Sequence, residues 1–129
     1  MTEAAIHPPL KGIELAQTCA RYAADKKAAD ITILDVRGLS PITDFFVLCT
    51  ATSRPHLRAI RDEVAAELKN AHHTPARVVD GSFESHWLIL DFTDVVVHVF
   101  TDEKRGFYSL EDLWNDAPRI PFPATDPAP

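Results

Sequence analysis

Five aspartates, Asp30, Asp35, Asp44, Asp91 and Asp94, punctuate the apolar runs of this chain. Carboxylates at strand ends can hold Mg²⁺ for phosphoryl or nucleotidyl transfer. That chemistry wants them aimed at one point, typically as a D-x-D pair on one strand face, and the chain has no D-x-D. Asp also ends strands because it favours turns, and that is the stronger expectation here. Thr50-Ala-Thr-Ser53 joins an apolar run to a helical pattern, a place where free N–H groups can bind an anion. The loop has neither glycine nor a lysine in the phosphate-loop position, so helix capping is expected instead. His98 lies inside VVVHVF, with no G-x-S-x-G and no Cys–His spacing to supply a nucleophile. It reads as a hydrogen-bonded core or interface histidine, whereas His56 and His86 read as exposed. Cys19 and Cys49 are far apart in apolar contexts without a C-x-x-C, which points to two buried thiols. No H-x-x-x-H or Cys/His cluster suggests a metal site, and no cofactor is expected.

What remains is the segment from Trp87 to Trp114, two apolar runs followed by DEKRGFYSLEDLW. Trp87, Phe107, Tyr108 and Trp114 have the composition of core residues. With Arg105 and Gly106 beside them they equally have the composition of a binding hot spot, where Trp, Tyr and Arg dominate. The residues alone leave both readings open.

The elements that must position these groups follow from periodicity. Residues 11–28 read as a helix with Ile13, Ala16, Ala20 and Ala23 at helical spacing and Leu15, Cys19 and Tyr22 beside them. Asp30–Val36 and Asp44–Thr50 read as strands, the second apolar on both faces and therefore interior. Leu57, Ile60, Val64, Leu68 and Ala71 line one face of a second helix that Pro75 stops, with Thr52, Ser53 or Arg54 as its cap. Strands are expected at 76–80, 86–92 and 94–100, the last two as a hairpin across Thr93-Asp94. A short helix is expected at Leu110–Trp114. The strand–helix–strand order over 44–80 favours a parallel pair. The sum is an α/β domain with a mixed sheet of about five strands and flanking helices. Residues 1–10 form a flexible arm broken by Pro8-Pro9, residues 11–116 the domain, and residues 117–129 a proline-rich disordered tail.

At 129 residues, with 46% hydrophobic and 25% charged residues, the chain suits one domain with a real core. Its net charge of −6 argues against non-specific nucleic-acid binding, DNA included, and permits a basic protein partner. No run approaches the roughly 20 apolar residues of a membrane helix. The start MTEAAIHPPL shows no positive region followed by an apolar one, and it has Glu3 and no Arg, so a cytoplasmic location is expected.

Several segments together resemble the ribosomal silencing factor family, also called Iojap-like. They are Asp30-Ile-Thr-Ile-Leu-Asp-Val36, Ser40-Pro-Ile-Thr-Asp-Phe-Phe46, Thr50-Ala-Thr-Ser53, Trp87-Leu-Ile-Leu-Asp-Phe92, Asp94-Val-Val-Val-His-Val-Phe100 and Arg105-Gly-Phe-Tyr-Ser-Leu-Glu-Asp-Leu-Trp114. The resemblance spans roughly residues 11–115. It departs at Ala51, where the family usually has Gly, at Pro41, often Ser, and at Phe107, more usually Tyr. It implies a nucleotidyltransferase-like fold without established catalysis. It also implies binding to the large ribosomal subunit through ribosomal protein L fourteen, a block on subunit joining, a link to large-subunit assembly, and homodimers. On that reading Trp87, Tyr108 and Trp114 are the anchors, and Leu110 and Leu113 pack beneath or beside them. Asp94, His98 and Arg105 supply polar contacts or hold the hairpin. Between Trp87 and Trp114 the acids Asp91, Asp94, Asp102, Glu103, Glu111 and Asp112 stand against Lys104 and Arg105, which suits a basic protein surface better than RNA phosphate. The alternatives are a nucleotidyltransferase-like enzyme using ATP and Mg²⁺, with Asp44 and Asp94 as its test residues, and a dimeric adaptor for another partner.

Overall fold

The computed structural model describes residues 10–80, 86–101 and 116–121. Its elements are α1 (Gly12–Asp25), β1 (Ala29–Asp35), β2 (Phe45–Ala51), α2 (Arg54–His72), β3 (Arg77–Asp80), β4 (Trp87–Asp91) and β5 (Val95–Thr101). The strands form one five-stranded sheet in the order β1-β2-β5-β4-β3. Among these described strands only β2 and β5 pair in parallel, in continuous register from Phe45↔Val95 to Ala51↔Thr101. The other neighbours are antiparallel. The mixed α/β sheet expected from the sequence is therefore present.

The expected parallel pair across residues 44–80 is not the one observed. β3 runs in the same direction as β2 but lies at the far edge, with β5 and β4 between them. All seven residues of β5 are buried, and a strand apolar on both faces belongs in the interior of a sheet. β3 has four residues and carries an exposed Val78, which suits an edge.

Side chains alternate across the strands. Phe45, Val47, Cys49, Leu88, Leu90, Val95, Val97 and Val99 face both described helices and form the larger core. α1 packs there through Leu15, Ala16, Cys19, Ala20 and Ala23, and α2 through Leu57, Ile60, Val64 and Leu68. Two residues expected on these faces are exposed instead: Ile13, at 39%, and Ala71. The packed stripe of α1 runs through Leu15 and Cys19, a turn apart, which leaves Ile13 to the side. Leu34, Val36, Leu48, Phe100 and Ala117 make a smaller core on the opposite face, with Phe46 and Trp87 against it.

Helix ends are set by local bonds. α1 stops three residues before the expected Ala28, because Lys27 adopts φ 66 and the N–H groups of Lys27 and Ala28 return to the carbonyls of Ala24 and Ala23. α2 is capped by Ser53, whose Oγ accepts from the His56 N–H at 3.1 Å, and Pro55 sits in its first turn. His73 closes it in the left-handed region at φ 54.

The expected tail boundary also moves. Asp35 N–H donates to the Pro118 carbonyl at 2.8 Å, Ile120 N–H donates to the Ile33 carbonyl at 2.9 Å, and Ala117 is buried. Residues 118–120 thus line the outer edge of β1, whose backbone groups need partners there. The expected short helix at 110–114, the arm at 1–9 and the tail beyond 121 lie outside the described residues.

Ser53→Ala is expected to lower stability by about 1 kcal/mol, the usual effect of losing such a cap. In urea unfolding the midpoint falls and the slope stays unchanged.

Candidate partner-binding face

The β4–β5 hairpin brings two of the expected site residues together. Trp87 stands opposite Phe100 and Ile89 opposite His98, so the Trp87 ring lies diagonal to the imidazole. Trp87 Nε1–H donates to His98 Nδ1 at 3.0 Å, and the rings stack at 5.8 Å. Phe100 stacks on Trp87 at 5.4 Å, and Phe46 meets His98 edge-on at 5.2 Å. His98 is 7% exposed. Because Nδ1 accepts, the ring proton sits on Nε2, and Nε2 is buried without a hydrogen-bond partner among the described residues. Burial pushes the His98 pKa down to about 4, so the ring is neutral near pH 7.

Beside this pair the sheet face opens into a hollow of about 390 Å³. Phe46, Val96 and His98 form its floor with Trp87 and Ile89, and Ile42, Arg77 and Asp91 also line it. Arg77 and Asp91 are cross-strand partners and pair at 3.3 Å. Ile42 is 80% exposed, although its loop is tied down. Its N–H donates to Ser40 Oγ, and the neighbouring Thr43 Oγ1 donates to the Thr93 carbonyl at 3.0 Å.

Asp94 lies away from the Trp87–His98 pair, in the hairpin turn. Its carbonyl accepts from the N–H groups of Asp44 and Phe45, both at 3.1 Å, which locks the turn to β2. Thr93 holds φ 79, an uncommon conformation for a β-branched residue. Its N–H donates to Asp91 Oδ1 at 2.8 Å. Arg105, Tyr108, Leu110, Leu113 and Trp114 lie outside the described residues.

Four of the strand-end aspartates, Asp35, Asp44, Asp91 and Asp94, share one end of the sheet. Arg37 binds the Asp35 carboxylate at 2.7 Å and holds it below the usual carboxylate range. Among the described residues no group of three His, Cys, Asp or Glu is placed to hold a metal. At the opposite end, Thr52 N–H donates to His56 Nδ1 and His56 Nε2–H donates to the Lys26 carbonyl, so these bonds and the Ser53 cap occupy the loop. His56 and His86 are half-buried rather than exposed, the latter through Thr101 at 3.2 Å. Cys19 and Cys49 are buried thiols, and desolvation pushes the Cys19 thiol far up. Sequence reasoning missed Ile42, Phe46, Ile89 and Val96 as members of one surface. The alternation within each strand was the available signal.

The family model described as "Ribosomal silencing factor during starvation" matches residues 9–129. The chain belongs to the ribosomal silencing factor family. A relative named ribosomal silencing factor, from Halalkalibacterium halodurans, is 36% identical over 107 residues, 83% of this chain and 91% of that protein. A crystal structure from Bacillus halodurans superposes with a TM-score of 0.72 at 32% identity, covering 86% of this chain and all of that one. A mouse protein named mitochondrial assembly of ribosomal large subunit protein 1 is 32% identical over 91 residues, covering 69% of this chain and 40% of its own length. The hollow and the Trp87–His98 pair are thus features of a ribosomal silencing factor domain.

The neutral burial of His98 has a pH signature. Its folded pKa lies below the ordinary 6.5, so unfolding takes up a proton in acid. Its contribution is full above pH 6.5 and is lost as pH falls toward 4, in total by about 3 kcal/mol. His98→Gln is expected to flatten the stability profile between pH 6.5 and 5, measured by urea unfolding at each pH.

Proposed function

We propose that the protein represses translation by docking on the large ribosomal subunit through ribosomal protein L fourteen and sterically blocking the small subunit. Family membership supports the ribosomal setting, and the name of the mouse relative supports the large subunit and a contribution to its assembly. The observation that carries the reading is the Trp87–His98 pair beside an apolar hollow, on the sheet face opposite both described helices. Aromatic side chains around an apolar hollow form the kind of surface that anchors protein partners. The net charge of −6 favours a basic protein over RNA phosphate. In this proposal Trp87 and His98 belong to the anchor, with Arg105, Tyr108, Leu110, Leu113 and Trp114 completing the surface and Asp94 fixing the hairpin. In this proposal the protein acts in the cytoplasm, forms a homodimer and needs no cofactor. No described helix is long and apolar enough to cross a membrane.

The test is co-sedimentation with isolated large and small subunits, followed by a subunit-joining assay. The protein is expected to travel with large subunits alone and to reduce joining. Trp87→Ala is expected to weaken that binding by more than tenfold while circular dichroism reports an intact fold. Undiminished binding of this variant defeats the anchor model, and equal binding to both subunits defeats the repression model.

A further inference from the structure

We propose that the hollow between β2, β5 and β4 receives an apolar side chain of the ribosomal protein, and that a carbonyl next to that side chain accepts the hydrogen bond from His98 Nε2–H. The inference rests on the reading of the protein as a large-subunit binder and specifies how its surface engages.

Three observations lead to this occupant. The first is Ile42. A large aliphatic side chain 80% exposed at the mouth of a hollow lined by Phe46, Ile89 and Val96 extends an apolar surface outward. Its loop is pinned by Ser40 Oγ and by Thr43 on Thr93, so the residue is held in place before any partner arrives. The second is His98. An N–H buried without an acceptor is rare in native structures and calls for a partner group. Nδ1 is already occupied by Trp87, so only an oxygen brought from outside the described residues can satisfy Nε2. A purely hydrocarbon occupant would leave it orphaned. An aliphatic or aromatic residue with its own backbone carbonyl supplies both the apolar bulk and the acceptor.

The third is charge. Asp91 lines the hollow, and Asp44 and Asp94 stand together at the adjoining ends of β2 and β5. Among the described residues Arg77 is the cation lining the hollow, and it is already paired with Asp91 at 3.3 Å. At this end of the sheet Asp35, Asp44, Asp91 and Asp94 stand against Arg37 and Arg77, and that excess of acids beside the hollow favours an apolar residue flanked by Lys or Arg. It disfavours RNA, and a second copy seated at this mouth would bring the same acids to it.

The test uses the full chain and isolated large subunits, with binding read by co-sedimentation at several protein concentrations. Ile42→Ser changes an exposed side chain and leaves the fold intact by circular dichroism; it is expected to weaken binding about tenfold. His98→Phe removes the donor and is expected to weaken binding at least as much. His98→Gln, whose amide keeps an N–H, is expected to recover part of the loss. If the unmodified chain does not sediment with large subunits, the functional reading fails and this inference with it. If the unmodified chain sediments and Ile42→Ser and His98→Phe match it, the inference alone is overturned. Sedimentation velocity on the protein by itself separates the remaining occupant. A drop from dimer to monomer in Ile42→Ser, with subunit binding retained, would make the hollow a contact between copies and overturn the assignment to the ribosomal protein.

Discussion

β5 is buried along its whole length, and the rest of the structure follows from covering both of its faces. Its parallel ladder with β2 and its hairpin with β4 satisfy its two edges. α1 and α2 cover the face that carries Val95, Val97 and Val99. The other face carries Val96, His98 and Phe100, and there the cover among the described residues is aromatic, with Phe46 and Trp87 against the imidazole. A polar ring in the middle of the most buried strand gives that face a chemical identity that another valine would not.

This arrangement separates two tasks. The helical face is a conventional packed core of Ala, Leu, Ile and Val, in which the small residues of α1 permit close approach to the strands. The aromatic face combines a stacked cluster with an adjoining hollow, an exposed Ile42 and an ion pair between Arg77 and Asp91. Rigidity comes from the first face and from the bonded loops around Thr43, Thr93 and Asp94. The second face keeps the hollow and the exposed side chain of Ile42 open to solvent.

Much of this could be read from the chain. The long helix was legible because Leu57, Ile60, Val64 and Leu68 repeat at helical spacing, and the strands because their β-branched and aromatic runs end in turn residues. Which strand neighbours which was not legible. Local pattern favoured pairing across α2, whereas the seven buried residues of β5 demanded the centre, and that demand is a property of the whole sheet. The pairing of residues 118–120 with β1 was hidden for a similar reason: prolines suggest a loose tail, but a tail can still offer its carbonyls and remaining N–H groups to an open edge. Trp87 and His98 were identifiable as site candidates. Their shared hydrogen bond, and the gathering of Ile42, Phe46, Ile89 and Val96 around one hollow, required the register between β2, β5 and β4.

The strand order also imposes a schedule on synthesis. A ribosome releases β1, β2, β3 and β4 before β5, yet β5 joins the β1–β2 pair to the β4–β3 pair. Until it emerges, β2 and β4 lack the strand that lies between them in the folded sheet. Closure links β2 to β5 across some fifty residues of sequence, a distant contact of the kind that slows folding and prolongs exposure of sticky edges. Completion of the sheet is therefore a late event, delayed until β5 has followed the other four strands out of the exit tunnel.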